Sequence, residues 1–191
     1  ISYLGYPFSI SENFQMRNTN TTIEDSLVLL NRLVEHATSL NIELVIYLSM
    51  GFGNPYGDPW SPALVSTWVS RLVDMGVSRI SLSDTVGLAQ PKTITDLFNY
   101  LLQAYPDIVF GAHLHAKPNE AISKIKAAYA GGCRAFDSAI RGLGGCPMAK
   151  DELTGNVPTE KLLSFLSAQK AQNSVNMLHF ESAYNASLQV C

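Results

Sequence analysis

The chain has 191 residues, 47% hydrophobic and 15% charged, with a formal net charge of −3. That composition supports one domain with a sizeable core, and its weak acidic balance leaves no basic stripe to hold nucleic acid. No apolar run is long enough to cross a bilayer, and three cysteines (Cys133, Cys146 and Cys191) give an odd count without CxxC spacing, against a disulfide framework or a structural zinc.

Taken in order, β-rich runs alternate with longer helical stretches. A strand is predicted over 2–9 and a helix over 22–40, where Thr22 before Ile23-Glu24-Asp25 reads as an N-cap followed by acidic residues. The next pair is a strand over 43–49 and a helix over 62–75, with Ser61 as cap and Pro62 at the first helical position. Leu64, Val65, Trp68, Val69, Leu72 and Val73 recur at helical spacing and mark a core stripe, and Gly76 follows as the stop. Further strands are predicted over 79–83, 108–113 and 134–138, and further helices over 92–104, 119–130 and 159–171.

This alternation predicts βα units on a parallel sheet. The unit length suits a doubly wound sheet or a (β/α)8 barrel, and periodicity does not choose between them. No glycine-rich dinucleotide fingerprint follows a strand, which weakens a nucleotide-binding version. Five strands fall short of the eight that close a barrel, so the sheet is open or the chain is a part of one.

In both architectures chemistry sits where strands end. The second strand ends on Ser49-Met50-Gly51, the third on Ser83-Asp84-Thr85, the fourth on His113-Leu114-His115, and the fifth on Asp137-Ser138-Ala139 before the glycine-rich run 142–147. Alternate strand residues share a face, so His113 and His115 can aim both imidazoles at one point; the plainer reading is two unrelated loop histidines. Asp84 is open to two readings, orienting a substrate hydroxyl or capping the next helix. Cys146 lies in a loop long enough to move, where an accessible thiol can transfer a proton or sense redox state. Asn156 can offer its amide oxygen to a hard cation or serve as an ordinary loop residue. His36 and His179 have no apparent partner and read as structural, and Cys133 as an inert thiol.

Residues 136–148, FDSAIRGLGGCPM, followed by 154–160, TGNVPTE, closely resemble the signature region of 3-hydroxy-3-methylglutaryl-CoA lyases. ISLSDTVG at 80–87 and HLH at 113–115 fall in that family's order and spacing; SENF at 11–14, Tyr56 and Ser61-Pro62 match more loosely. The resemblance implies a TIM barrel, of which residues 1–191 form a partial catalytic domain carrying about strands 4 to 8, without the first strand's Arg-Asp pair. It implies His113, His115 and Asn156 as ligands of Mg2+ or Mn2+, Cys146, Asp84 and Glu160 as catalytic residues, and Ser49, Asp84, Gly144 and Gly145 at the substrate. The reaction implied is cleavage of 3-hydroxy-3-methylglutaryl-CoA to acetyl-CoA and acetoacetate. The acyl-CoA thioester and a second copy of the chain are the expected partners, with no nucleic acid or membrane. The expected setting is intracellular: cytoplasmic in a bacterium, with the mitochondrial matrix open in a eukaryote. Two alternatives stand beside it: a related aldolase or Claisen-type synthase acting on 2-oxo acids, and a non-catalytic truncated homologue.

Overall fold

The computed structural model describes residues 1–145 and 154–189. Its elements run β1 (Tyr3–Ser9), α1 (Glu12–Thr19), α2 (Ile23–Ser39), β2 (Glu43–Ser49), α3 (Pro62–Asp74), β3 (Arg79–Asp84), α4 (Pro91–Ala104), β4 (Val109–Ala116) and α5 (Ala121–Ala130). Then come β5 (Ala135–Phe136), a 3-10 turn (Ile140–Gly142), β6 (Gly155–Asn156), α6 (Thr159–Ala168) and α7 (Met177–Ser187). Strands β1 to β5 are parallel and lie side by side in the order the chain makes them. A doubly wound sheet reverses its strand order at a switch point; consecutive units of a barrel do not. Strand order therefore makes the choice that periodicity left open, in favour of part of a barrel.

Strand alternation divides the sheet into two chemically different faces. Ile46 and Leu48, Ile80 and Leu82, and Phe110, Ala112 and Leu114 point to the helix side and are buried. They meet Val65, Val69 and Leu72 of α3 and Ile94, Leu97, Phe98 and Leu101 of α4 in one core. Truncating one of these, Leu72→Ala for example, removes about 2–5 kcal/mol. The opposite, inner face carries Tyr47 and Ser49, Ser81 and Ser83, then Gly111, His113 and His115, aligned by the register Tyr47↔Ser81↔Gly111 and Ser83↔His113. Gly5 belongs to this face too, where a Cβ would come within 2.9 Å of the Tyr47 ring.

The expected helix signals form. Thr22 Oγ1 accepts from Asp25 N–H at 3.1 Å and Ser61 Oγ from Leu64 N–H at 3.1 Å, while Gly76 takes the left-handed φ of +91° that ends α3. Of the two glycines after α5, Gly132 has the positive φ, +97°. β4 continues three residues past the predicted His113, because β6 pairs antiparallel with its end, His115 opposite Asn156. β5 is shorter than expected, two residues. Helices α1 and α7 have no counterpart among the predicted elements. The first buries only Phe14 and Gln15 and the second buries nothing, so neither presents an apolar stripe to read.

Candidate metal centre

His113 and His115 project from the end of β4 onto the inner face with their Nε2 atoms 3.3 Å apart. Two cis nitrogens on a divalent cation, bonded at about 2.1 Å, stand about 3 Å apart, so the pair fits one ion. A cation needs bare nitrogens, and the environment of His115 keeps that ring neutral. Burial, then the neighbouring His113 and Lys124, hold His115 down from 6.5 to about 4, so it is neutral at ordinary pH. Among the described residues its Nδ1 is buried without a hydrogen-bond partner.

Asn156 enters through β6. Directly opposed residues of an antiparallel pair share a face, so its side chain lies beside that of His115. The amide nitrogen donates to Leu143 O at 2.8 Å, which leaves the amide oxygen as the available donor to a cation. This placement depends on two glycine segments packed back to back. A Cβ on Gly155 would sit 2.6 Å from Gly142 O, and one on Gly142, whose φ is +67°, would sit 2.7 Å from Asn156 O. Among the described residues no three His, Cys, Asp or Glu side chains gather as a metal cluster. The donor set on view is two imidazoles and one amide oxygen, suited to a divalent ion completed by oxygen ligands.

Asp84 faces away from the two histidines. It registers with Leu114, an outward residue, so strand parity turns it to the helix side and leaves Ser83 facing inward beside His113. Only 2% exposed, its carboxylate accepts from Lys124 Nζ at 2.7 Å and Ala89 N–H at 3.1 Å. Burial raises its pKa and Lys124 opposes the rise. Lys124, 3% exposed, spends its remaining donors on Gly87 O at 3.0 Å and His115 O at 2.9 Å. The lysine thus ties α5 to the loop after β3 and to the backbone of His115. Sequence reading missed it, since a lysine on a helix ordinarily marks a solvated face.

Glu160, in the first turn of α6, accepts from Arg141 N–H at 3.0 Å. Arg141 holds the left-handed φ of +60°, costly for a residue with a Cβ, and its guanidinium donates to Ser187 O at 2.8 Å. Glu160 therefore braces the turn that leads into the glycine-rich loop. Ser49 is buried on the inner face, Gly144 O accepts from Asn156 N–H at 3.3 Å, and Gly145 packs on Thr154. Cys146 lies outside the described residues. His36 and His179 are exposed. Burial pushes the Cys133 thiol up to about 12, which makes it inert.

A family model described as HMGL-like matches residues 7–186. The human cytoplasmic 3-hydroxy-3-methylglutaryl-CoA lyase is 34% identical over 167 residues, 87% of this chain and 45% of that protein. The HMG-CoA lyase structure from Bacillus subtilis superposes with a TM-score of 0.90 at 28% identity, covering 99% of this chain and 63% of that one. An HMG-CoA lyase from Acinetobacter baumannii, in complex with coenzyme A and 3-methylmalate, gives a TM-score of 0.81 at 25% identity over 92% of this chain and 57% of its own. The chain spans about half the length of the curated relatives it matches. No helix among the described residues is long and apolar enough to cross a membrane.

Proposed function

This chain belongs to the HMGL-like family, and from that premise we propose that its site serves a lyase cleaving 3-hydroxy-3-methylglutaryl-CoA to acetyl-CoA and acetoacetate. The observation that carries the reading is the convergence of His113, His115 and Asn156 at the carboxyl edge of the parallel sheet, where barrels place their chemistry. The Acinetobacter relative's complex with coenzyme A supports an acyl-CoA ligand.

In the cleavage the tertiary hydroxyl loses its proton, the bond between C2 and C3 breaks, and the electron pair passes to the thioester carbon skeleton as an enolate. One proton then returns to that carbon. A divalent cation of the Mg2+ or Mn2+ type, when bound, supplies Lewis-acid polarisation of the substrate oxygens. His113, His115 and Asn156 are the residues that would hold it. The Cys146 thiol is assigned the proton delivered to the enolate carbon, and Ser49, Gly144 and Gly145 line the substrate's place. Asp84 and Glu160 act at one remove: Asp84 fixes His115 through Lys124, and Glu160 fixes the turn before the loop.

The test is acetyl-CoA release by the full-length protein with and without Mg2+ or Mn2+, beside a His113→Ala/His115→Ala double variant. Release of acetyl-CoA that depends on the cation and is lost together with cation binding in the variant is expected. Condensation of acetyl-CoA with a 2-oxo acid, without acetyl-CoA release from the hydroxyacyl-CoA, would point to a synthase instead, and unchanged cation binding in the variant would remove the ligand assignment.

A further inference from the structure

Among the described residues, His113 is the member of the donor set with an acidic side chain against its second nitrogen. Asp137 N–H donates to Ala112 O at 3.0 Å, which continues the parallel ladder one residue beyond β5. Alternation then places the Asp137 side chain on the inner face, beside His113. Its Oδ2 lies 3.3 Å from His113 Nδ1 and accepts from Ser81 Oγ at 3.0 Å. The contact to Nδ1 is electrostatic rather than an aligned hydrogen bond, for that nitrogen is buried and has no hydrogen-bond partner among the described residues. Two rings close the other sides of the imidazole: Tyr47 edge-on, with centroids 5.3 Å apart at 84°, and His115, 5.2 Å away at 69°.

We propose that Asp137, braced by Ser81, is a positioning residue that selects the Nδ1–H tautomer of His113 and so leaves Nε2 bare toward His115. A neutral imidazole carries one proton and must place it on one of two nitrogens. On Nδ1 the proton lies within electrostatic reach of a carboxylate oxygen 3.3 Å from the nitrogen; on Nε2 it would occupy the space between the two histidines. The carboxylate makes the first arrangement the stable one, as outer carboxylates do for histidines that bind cations. Ser81 gives Asp137 a fixed direction, and β3, β4 and the residue that follows β5 each contribute one side chain, so the device exists only when the three strands are in register. Its purpose rests on the reading of His113 as a ligand, whereas the tautomer is a property of the protein without any cation.

The experiment is long-range 1H–15N correlation of the histidine rings in the cation-free full-length protein at a pH where imidazole is neutral. It is paired with Mn2+ titration of the same samples. The wild type is expected to show His113 as the Nδ1–H tautomer. Asp137→Ala should move it toward the Nε2–H form that free histidine prefers and weaken Mn2+ binding about 10–100-fold. Ser81→Ala, a milder change that keeps the carboxylate, should give a mixed tautomer and a smaller loss, and guards against an Asp137 variant that does not fold. An Nε2–H tautomer in the wild type, or an Nδ1–H tautomer unmoved in Asp137→Ala, overturns the proposal. The expected tautomers without any Mn2+ binding would uphold Asp137 as the orienting group while removing the metal reading.

Discussion

Ser83 and Asp84 are neighbours in sequence and face opposite sides of the sheet, and that single step of strand parity decides what each can do. Asp84 joins Lys124 in an ion pair sealed from water. Such a pair gains little over apolar residues of the same volume, but removing one partner strands a charge. Lys124→Met is therefore expected to lower the unfolding free energy by about 3–5 kcal/mol, and Lys124→Met with Asp84→Leu to recover most of it, both read by urea denaturation. Equal destabilisation by the single and double variants would show that the charge pairing is not what matters. His115 makes the second residue-scale prediction. Its pKa is lowered from 6.5 to about 4 on folding, so the unfolded chain binds the extra proton first as pH falls. Its contribution is complete above 6.5 and is lost as pH drops toward about 4. Stability should decline across that window, and His115→Gln should flatten the decline in denaturation series at several pH values.

At the scale of elements, the short β6 strand does more for the site than its length suggests. It carries Asn156 to a place opposite His115, and it reaches that place only because Gly142 and Gly155 let two backbones touch. Alanine at 155 would have to push the glycine-rich turn away, an overpacking expected to cost about 1–3 kcal/mol. Gly155→Ala should also weaken Mn2+ binding more than its stability loss explains, because the amide moves off its register with His115. Isothermal titration beside a melting curve checks this; intact cation affinity in a folded variant would detach Asn156 from the site. Arg141 and Glu160 work on the same turn from the other side, and α7 joins them through Ser187 O.

For the whole molecule the exposed edge is the dominant feature. Among the described residues β1 pairs only with β2, and Ile1, Tyr3 and Leu4 are exposed beside it. Unpaired strand edges are templates for association, and apolar surface next to one strengthens the tendency. The 191 residues expressed by themselves should accordingly self-associate on size-exclusion chromatography. A monomer over a wide concentration range would show that this edge does not drive association.

Local information alone determined much of this. Helix caps at Thr22 and Ser61, the stop at Gly76, the α3 stripe and the five strands were legible because each depends on residues within a few positions of one another. The paired histidines were legible for the same reason, since alternation along one strand puts them on one face. Register and packing decided the rest. Strand order chose a barrel over a doubly wound sheet, a relation between strands about 30 residues apart that periodicity does not encode. The burial of Lys124, the outward turn of Asp84 and the approach of Asp137 to His113 each join residues from different elements. Their chemistry is set by which neighbour the fold supplies, because burial and partner, not residue type, fix whether a charge is solvated, paired or set to orient another group.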